Sequence, residues 1–299
     1  MGRIDLHLHT TYSDGTATPA AVATQAAARR VGLIAITDHD ETAGIIEAQQ
    51  AGQALGVTVI SGVEINTDSG HEEIHILGYG FPIGSPILAE GLQALRASRL
   101  ERAAKIVERL NALGYPLKLD RVLAIAGSGS VGRPHIARAL VQEGFARSSS
   151  DAFSNLIGRG CPAHISRKPF TAEDAIALIH RAGGITSLAH PGKLGDPARV
   201  VRELQPAGLD ALEAYHSDHS AGAVKRLLQI AADARLLVTG GTDSHGPGSP
   251  RVVAIGSLDI PESVGEQLLA RLNADLRHEK VIPPLGARNP GLGTDTHVV

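Results

Sequence analysis

Short apolar runs recur along the chain, each closed by a polar or ionisable residue, and most lead into a segment of helical periodicity. The first, Arg3-Ile4-Asp5-Leu6-His7-Leu8-His9-Thr10, alternates, so an extended strand aims His7 and His9 to one face and Ile4, Leu6 and Leu8 to the other. Thr18-Pro19 reads as a helix cap followed by proline at the first helical position, and the alanine-rich helix it opens is expected to end at Gly32. Leu33 to Thr37 is a continuous apolar run, the mark of a strand buried on both faces, and ends in Asp38-His39-Asp40. A helix from Thr42 to Leu55 follows, then a third strand from Gly56 to Ile60 leading through Gly62 to Glu64, and a fourth over Ile74 to Tyr79.

The pattern then changes. Leu88 to Leu110 is one long amphipathic helix, and the chain to Ile157 reads as more helix with glycine-rich breaks. Alternation resumes at Thr171, a cap for a helix running to Gly183. Strands follow at Gly184 to Ala189, closed by His190; at Leu209 to Ala214, closed near His216; and at Leu236 to Thr239, leading to Asp243-Ser244-His245. Seven strands, most followed by a helix, predict an α/β fold with a parallel, barrel-like sheet. Residues 1–84 and 161–285 form the barrel, 85–160 an inserted helical lid, and 286–299 a mobile tail rich in Pro, Gly and polar residues.

Composition narrows the function. A net charge of −3 gives no overall pull toward nucleic acid or anionic membrane, so any anion site is local. The one cysteine, Cys161, excludes an intrachain disulfide and cysteine-rich zinc sites; it reads as a small buried filler, and a reducing cytoplasmic setting follows. No apolar stretch approaches the roughly 18 residues of a membrane span. Fourteen histidines against four Phe, four Tyr and no Trp is the unusual ratio.

In α/β barrels the working residues lie at the C-terminal ends of the strands. His7, His9, His39, Glu64, His190, Asp243 and His245 fall there, Asp14 sits in the turn Ser13-Asp14-Gly15, and His75 lies inside a strand. Imidazole and carboxylate without thiolate suit catalytic Mn, Fe(II) or Zn. Nine ligands exceed one ion and suit two or three with bridging carboxylates. Three divalent ions against three carboxylates leave an excess of positive charge, which fits a phosphate ester better than a neutral amide.

The segments HLHTTYSDG, ITDHD, GVE, EIHILGY, AHP and TDSH, in this order and spacing, resemble the PHP (polymerase and histidinol phosphatase) family of phosphoesterases. The resemblance implies a distorted (β/α)7 barrel and a trinuclear centre, with manganese the leading ion and iron or zinc as alternatives. His7, His9, Glu64 and Asp243 would hold one ion; Glu64 would bridge to a second held with His75 and His190; Asp14, His39 and His245 would hold a third. The ions would activate water for in-line attack at phosphorus. With only two ions bound, His39 or His245 would serve as general acid, so His39, His245 and Asp14 are the candidate catalytic residues.

The insertion carries the candidate substrate-binding residues. Arg99 falls on the apolar stripe of the long helix with Arg102 and Lys105 beside it, and a cation there needs an anionic partner. The loop Gly127 to Gly132 leads into Arg133-Pro134-His135 at a helix start, where backbone N–H groups and Arg133 favour an anion. Two anion sites imply a substrate with two phosphates, or a nucleotide at a strand end. This agrees with the subgroup resembled, the TrpH or RNase AM type, which implies 3',5'-nucleoside bisphosphate phosphatase activity and 5' to 3' exonuclease action on RNA ends. Histidinol phosphate is the rival substrate. An amidohydrolase acting on C–N bonds is the rival class, disfavoured because Glu64 stands where a bridging lysine would. A non-enzymatic metal-binding or polymerase-accessory role is the third possibility. His216, His219 and Lys193 are candidate pocket residues, while His71, His164, His180, His278 and His297 read as loop, surface, helix or chain-end positions.

Overall fold

The computed structural model describes residues 2–279 apart from 68–72, 128, 167, 250 and 251. The readings of His71, His297 and the tail concern positions outside that description, and His278 falls within the last turns of the final helix. Seven strands form one sheet in chain order: β1 (Arg3–Leu8), β2 (Val31–Ile36), β3 (Thr58–Asn66), β4 (His75–Tyr79), β5 (Ile185–Leu188), β6 (Ala211–His216) and β7 (Leu237–Gly241). The ends of the sheet meet, because Asp243 N–H donates to His7 O at 2.9 Å and His9 N–H to Ser244 O at 3.0 Å. The result is a nearly closed barrel.

Six strands are parallel as expected, but β4 runs antiparallel to both β3 and β5. The reason is chain length: the eight residues 67–74 between β3 and β4 are too few for the crossover of a dozen or more that parallel pairing requires. His75 is therefore not inside a strand but at the start of β4, and the reversal brings that start to the mouth where the other strands end. A second departure lies in β1. Ile4 and Leu6 join an apolar cluster with Leu33, Ala35, Leu77 and Tyr79, whereas Leu8 joins the one shared with the outer helices. A register shift between Asp5 and Leu8 changes the face, so Leu6 does not keep company with Leu8.

Helices cover the outside. In α1 (Pro19–Ala28) Thr18 Oγ1 accepts from Ala21 N–H; the helix stops before Gly32 because Val31 already belongs to β2. With α2 (Ile45–Leu55) it packs on β1, β2 and β3. Between β4 and β5 stand α3 (Pro86–Ala112), α4 (Leu119–Ala126), α5 (Arg133–Gln142) and the short α6 (Ser149–Ala152), which runs into a π-helical turn over Phe153–Ile157. These helices own a separate core that includes Ala103, Ile106, Leu110, Val122, Ile136, Leu140 and Ile157. Barrel alternation resumes with α7 (Ala172–Arg181), opened by a reciprocal cap between Thr171 and Asp174, then α8 (Pro197–Leu204), α9 (Ala221–Ala234) and α10 (Glu262–Glu279). Val264, Leu268 and Leu272 of α10 pack with the interior cluster.

The seam of the barrel depends on a missing side chain. A Cβ on Gly241 would stand 2.3 Å from His7 N and 2.4 Å from His7 Cβ, both fixed by the strand. Gly241→Ala is expected to cost roughly 1–3 kcal/mol through overpacking, read as a lower urea midpoint with unchanged denaturant slope.

Candidate metal centre

The loop after β1 is tied down from below by a buried carboxylate that the sequence did not single out. Asp38 accepts from Thr10 N–H at 2.7 Å, Thr10 Oγ1 at 2.6 Å and Ser13 Oγ at 2.5 Å. Gly15 is required at its end, since a Cβ there would meet His9 O at 2.6 Å. The turn presents Asp14 back toward β1, as its spacing from His9 suggested. Three of the five described non-glycine residues with a left-handed backbone stand at this mouth: Asp40 (φ 51°), His190 (φ 32°) and Asp243 (φ 55°). Such conformations persist only where the surroundings over-determine them.

All nine residues expected at the mouth converge. His7 Nε2 lies 3.3 Å from Glu64 Oε2 and 3.5 Å from Asp243 Oδ1, and His9 Nε2 lies 3.2 and 3.1 Å from the same two oxygens. Ligands about 2.1 Å from one ion stand roughly 3.0–3.4 Å apart, by tetrahedral and octahedral geometry. A second grouping joins Glu64 Oε1 to His75 Nδ1 at 2.7 Å and His190 Nε2 at 3.0 Å, with 3.2 Å between the two nitrogens. A third joins Asp14 to His245 Nε2 at 3.2 Å, to His39 Nε2 at 3.8 Å and to His9 Nδ1 at 3.8 Å. Glu64 thus spans two groupings with its two oxygens, as a bridging carboxylate would.

The donor atoms fit ions better than they fit one another. Among the described residues, His7 Nε2, His9 Nε2 and His39 Nδ1 are buried and make no hydrogen bond. An orphaned buried nitrogen is costly unless something else takes its lone pair. For His7 the other nitrogen explains the arrangement: Nδ1 stands 2.9 Å from Glu213 Oε1, which places the proton there and leaves Nε2 open. In His245, Nδ1–H donates to Asp243 O at 2.9 Å, so its Nε2 is likewise open.

Electrostatics agree. Burial opposes charge on His7, but Glu213, Asp243 and Glu64 outweigh it and hold the imidazolium well above its usual range. For His9 burial is again outweighed, by Asp243 and Glu64, and its pKa rises to about 10. Burial would raise Glu64, Asp243 and Asp14, yet surrounding imidazoles hold all three well below the ordinary carboxylate range. Burial brings His190 down to about 4, leaving it a neutral donor.

A cleft opens over this cluster in two arms that share Lys193, Asp243 and His245. One, about 440 Å³, is also walled by Glu73, Arg159 and Leu194; the other, about 460 Å³, by Pro134, Arg138, Ser149, Ser150, Phe153 and Ser249. Of the residues expected to bind substrate, Pro134 lines the second arm. The rest are otherwise engaged. Arg99 pairs with Asp40 and Asn66, and with Arg102 it borders a separate small cavity. Arg102 Nε donates to Ile165 O at 2.7 Å, and Lys105 is exposed and paired with Glu101. Arg133 reaches Glu73 at 2.6 Å. His135 departs furthest from expectation: its Nδ1 accepts from Gly132 N–H at 2.9 Å and its Nε2 sits 3.0 Å from Ser13 O. At the start of α5 the Gly132 N–H is therefore taken by the helix's own histidine, while His135 ties the helical lobe to the Asp14 loop. Arg138 does the same through Asp14 O at 3.0 Å.

Three kinds of residue escaped the sequence reading. Arg138 and Arg159 gave no signal beyond being cations in a helical region. Glu213 was visible only as a carboxylate inside an otherwise apolar run, and Asp38 as the first acid of an Asp-His-Asp triplet whose histidine drew the attention.

Residues 5–158 match the PHP domain family. The chain belongs to that family. It is 35% identical over 253 residues to a 3',5'-nucleoside bisphosphate phosphatase from Chromobacterium violaceum, covering 83% of this chain and 89% of that protein. It is 38% identical over 249 residues to the 5'-3' exoribonuclease Rnm of Escherichia coli, covering 81% and 85%. A solved structure from Bifidobacterium adolescentis, assigned as a metal-dependent phosphoesterase, superposes with a TM-score of 0.82 at 34% identity over 90% of this chain and 96% of that one. The PHP chain described here is a metal-dependent hydrolase of phosphoric esters, and among its described residues no helix is long and apolar enough to cross a membrane.

With His7, His9 and His245 all raised, the ion-free site carries protons near neutral pH that incoming cations must displace. Calorimetric titration with Mn²⁺ in buffers of different ionisation enthalpy is expected to show net proton release, with affinity falling between about pH 8 and about pH 6. Affinity that is flat with pH contradicts this electrostatic account.

Proposed function

We propose that this chain removes the 3'-phosphate from 3',5'-nucleoside bisphosphates, leaving the nucleoside 5'-monophosphate, and that the same site accepts the 5' ends of short single-stranded RNA. It uses two or three divalent ions, manganese foremost, held by His7, His9, Asp14, His39, Glu64, His75, His190, Asp243 and His245. The observation that carries this reading is the forked cleft. Its arms meet over the metal cluster at Lys193, Asp243 and His245, so a phosphate seated there leaves room for the rest of a nucleotide along one arm. The second arm offers the Phe153 ring as a face for a base and the Ser149 and Ser150 hydroxyls as polar contacts. Histidinol monophosphate needs neither a second arm nor its cations.

Bound divalent ions supply Lewis acidity and bring the pKa of water toward neutrality. The protein's own groups do the rest. Lys193 Nζ, 3.1 Å from Asp218 Oδ2 and 3.8 Å from Asp243 Oδ2, stands at the fork where a phosphoryl oxygen would arrive. Arg159 on one wall and Arg138 on the other carry positive charge beside each arm. Asp14 Oδ1 lies 3.2 Å from His245 Nε2, and with only two ions bound His39 or His245 would hand a proton to the leaving oxygen. The helical lobe of residues 85–160 acts as a lid that walls the second arm. We place the activity in the cytoplasm, in keeping with the unpaired Cys161.

The purified protein with Mn²⁺ is expected to release phosphate from adenosine 3',5'-bisphosphate faster than from histidinol phosphate, with no turnover of a dihydropyrimidine amide and none of any substrate after chelation. Asp243→Asn is expected to lower kcat by at least about 100-fold with the fold retained, since it removes a ligand charge from the centre. Preference for histidinol phosphate would overturn the substrate assignment.

A further inference from the structure

The carboxylate of Glu213 lies behind the metal cluster, fully buried and outside both arms of the cleft. Its two oxygens do different work on different elements. Oε1 is 2.9 Å from Nδ1 of His7 on β1, and Oε2 accepts from the backbone N–H of His190, just past β5, at 2.6 Å. The two rings so tethered lie nearly parallel, 5.9 Å between centroids, and each directs its Nε2 at one oxygen of Glu64, 3.3 Å for His7 and 3.0 Å for His190. One buried acid therefore grips, from the rear, a histidine from each of the two groupings that Glu64 joins at the front.

From this geometry, and resting on the metal-centre reading above, we infer that Glu213 is a positioning residue: it fixes the tautomer of His7 and the backbone of His190, and so sets two ion sites at once. Both bonds require an acceptor. His7 must keep its proton on Nδ1 if Nε2 is to bind a cation, and only an acceptor at Nδ1 enforces this. His190 holds a left-handed backbone (φ 32°, ψ 51°) that a non-glycine residue adopts only under restraint, and its N–H is where the restraint is applied. His7, Glu213 and His216 also lie close enough to suggest an ion site of their own, but the His7 nitrogen facing Glu213 is the one already bonded to it. His216 extends the same supporting row: its Nδ1 accepts from Asp218 N–H at 3.0 Å, which turns Nε2–H toward Asp243 Oδ2 at 3.3 Å. Strand β6 thus binds no ion itself but orients ligands carried by β1, β5 and β7.

The isosteric change Glu213→Gln separates this role from simple packing. An amide keeps the shape but has one acceptor oxygen. Its NH2 must face either His7 Nδ1, which moves the His7 proton onto Nε2 and blocks it, or the His190 N–H, donor against donor. The test is Mn²⁺ affinity and ions retained per chain by elemental analysis, for wild type, Glu213→Gln and Glu213→Asp, with the metal-induced rise in Tm measured in each. Glu213→Gln is expected to lose about 10–100-fold in affinity and to show a smaller metal-induced rise. Glu213→Asp, one methylene shorter and able to reach only one partner, should fall between. Wild-type affinity and stoichiometry in Glu213→Gln would overturn the inference, whereas a wild type that binds no divalent ion would sink the metal-centre reading and this inference with it. Should the variant not fold, the zinc-loaded wild type still decides: ¹⁵N shifts of the His7 ring, assigned by their loss in His7→Gln, are expected to show a protonated Nδ1 and a metal-bound Nε2, and the reverse overturns the proposal.

Discussion

Three buried carboxylates, Asp14, Glu64 and Glu213, and a half-buried fourth, Asp243, crowd one end of the barrel, and their mutual repulsion is the constraint that organises everything around them. Burial makes each charge expensive, and proximity makes each more so, unless cations stand between them. The chain answers with imidazoles from nearly every strand end, and three of their buried nitrogens, His7 Nε2, His9 Nε2 and His39 Nδ1, make no hydrogen bond where those carboxylates converge. Beneath them the barrel is apolar: Leu6, Leu33, Leu77, Tyr79 and Ile185 fill it, with α10 packed against the same cluster. A polar mouth on an apolar plug keeps the histidines from relaxing inward, so the ion-binding geometry exists before any ion arrives.

Much of this was legible from the one-dimensional pattern, because the evidence for it was local. HxH on an alternating strand, Asp-His-Asp after a buried one, and a histidine closing each of several apolar runs are features of single segments, and every residue chosen that way reaches the mouth. What failed to show was whatever depends on pairing between segments. The reversal of β4 is set by how few residues join it to β3, and that count was not weighed against the expected parallel order. The face change in β1 comes from a register shift with β2. The partners of Arg99, Arg133 and His135 belong to distant parts of the chain, Asp40, Glu73 and Ser13, so side chains that looked available for an anion are already spent on structure. Glu213 escaped for the same reason, since a lone acid in a strand declares nothing until its neighbours are known.

The cations that do face the cleft come from three separate places: Arg138 on α5, Arg159 after the π-helical turn, and Lys193 in the short helix after β5. Two of them belong to the helical lobe, and the lobe is bolted to the loop carrying Asp14 by Arg138, His135 and the bond from Ser130 N–H to Tyr12 O at 2.9 Å. The part that shapes the second arm is thus mechanically continuous with one of the ion ligands, and the two cannot shift independently.

The backward course of β4 has a further consequence for how the lobe is carried. Tyr79 leaves the sheet at the closed end, the far side from the ions, yet the lobe has to stand at the open end. The 27 residues of α3, roughly 40 Å of helix, make that journey along the outside. Leu88 and Leu92 grip the barrel's shell near the foot, and Ala103, Ile106 and Leu110 anchor the lobe near the top. It works as a mast. Deleting one residue between Leu92 and Ala103 would turn everything above by about 100° and lower it by about 1.5 Å, swinging Arg138 and Phe153 off the fork. The length of this helix is therefore fixed by the two cores its ends must reach.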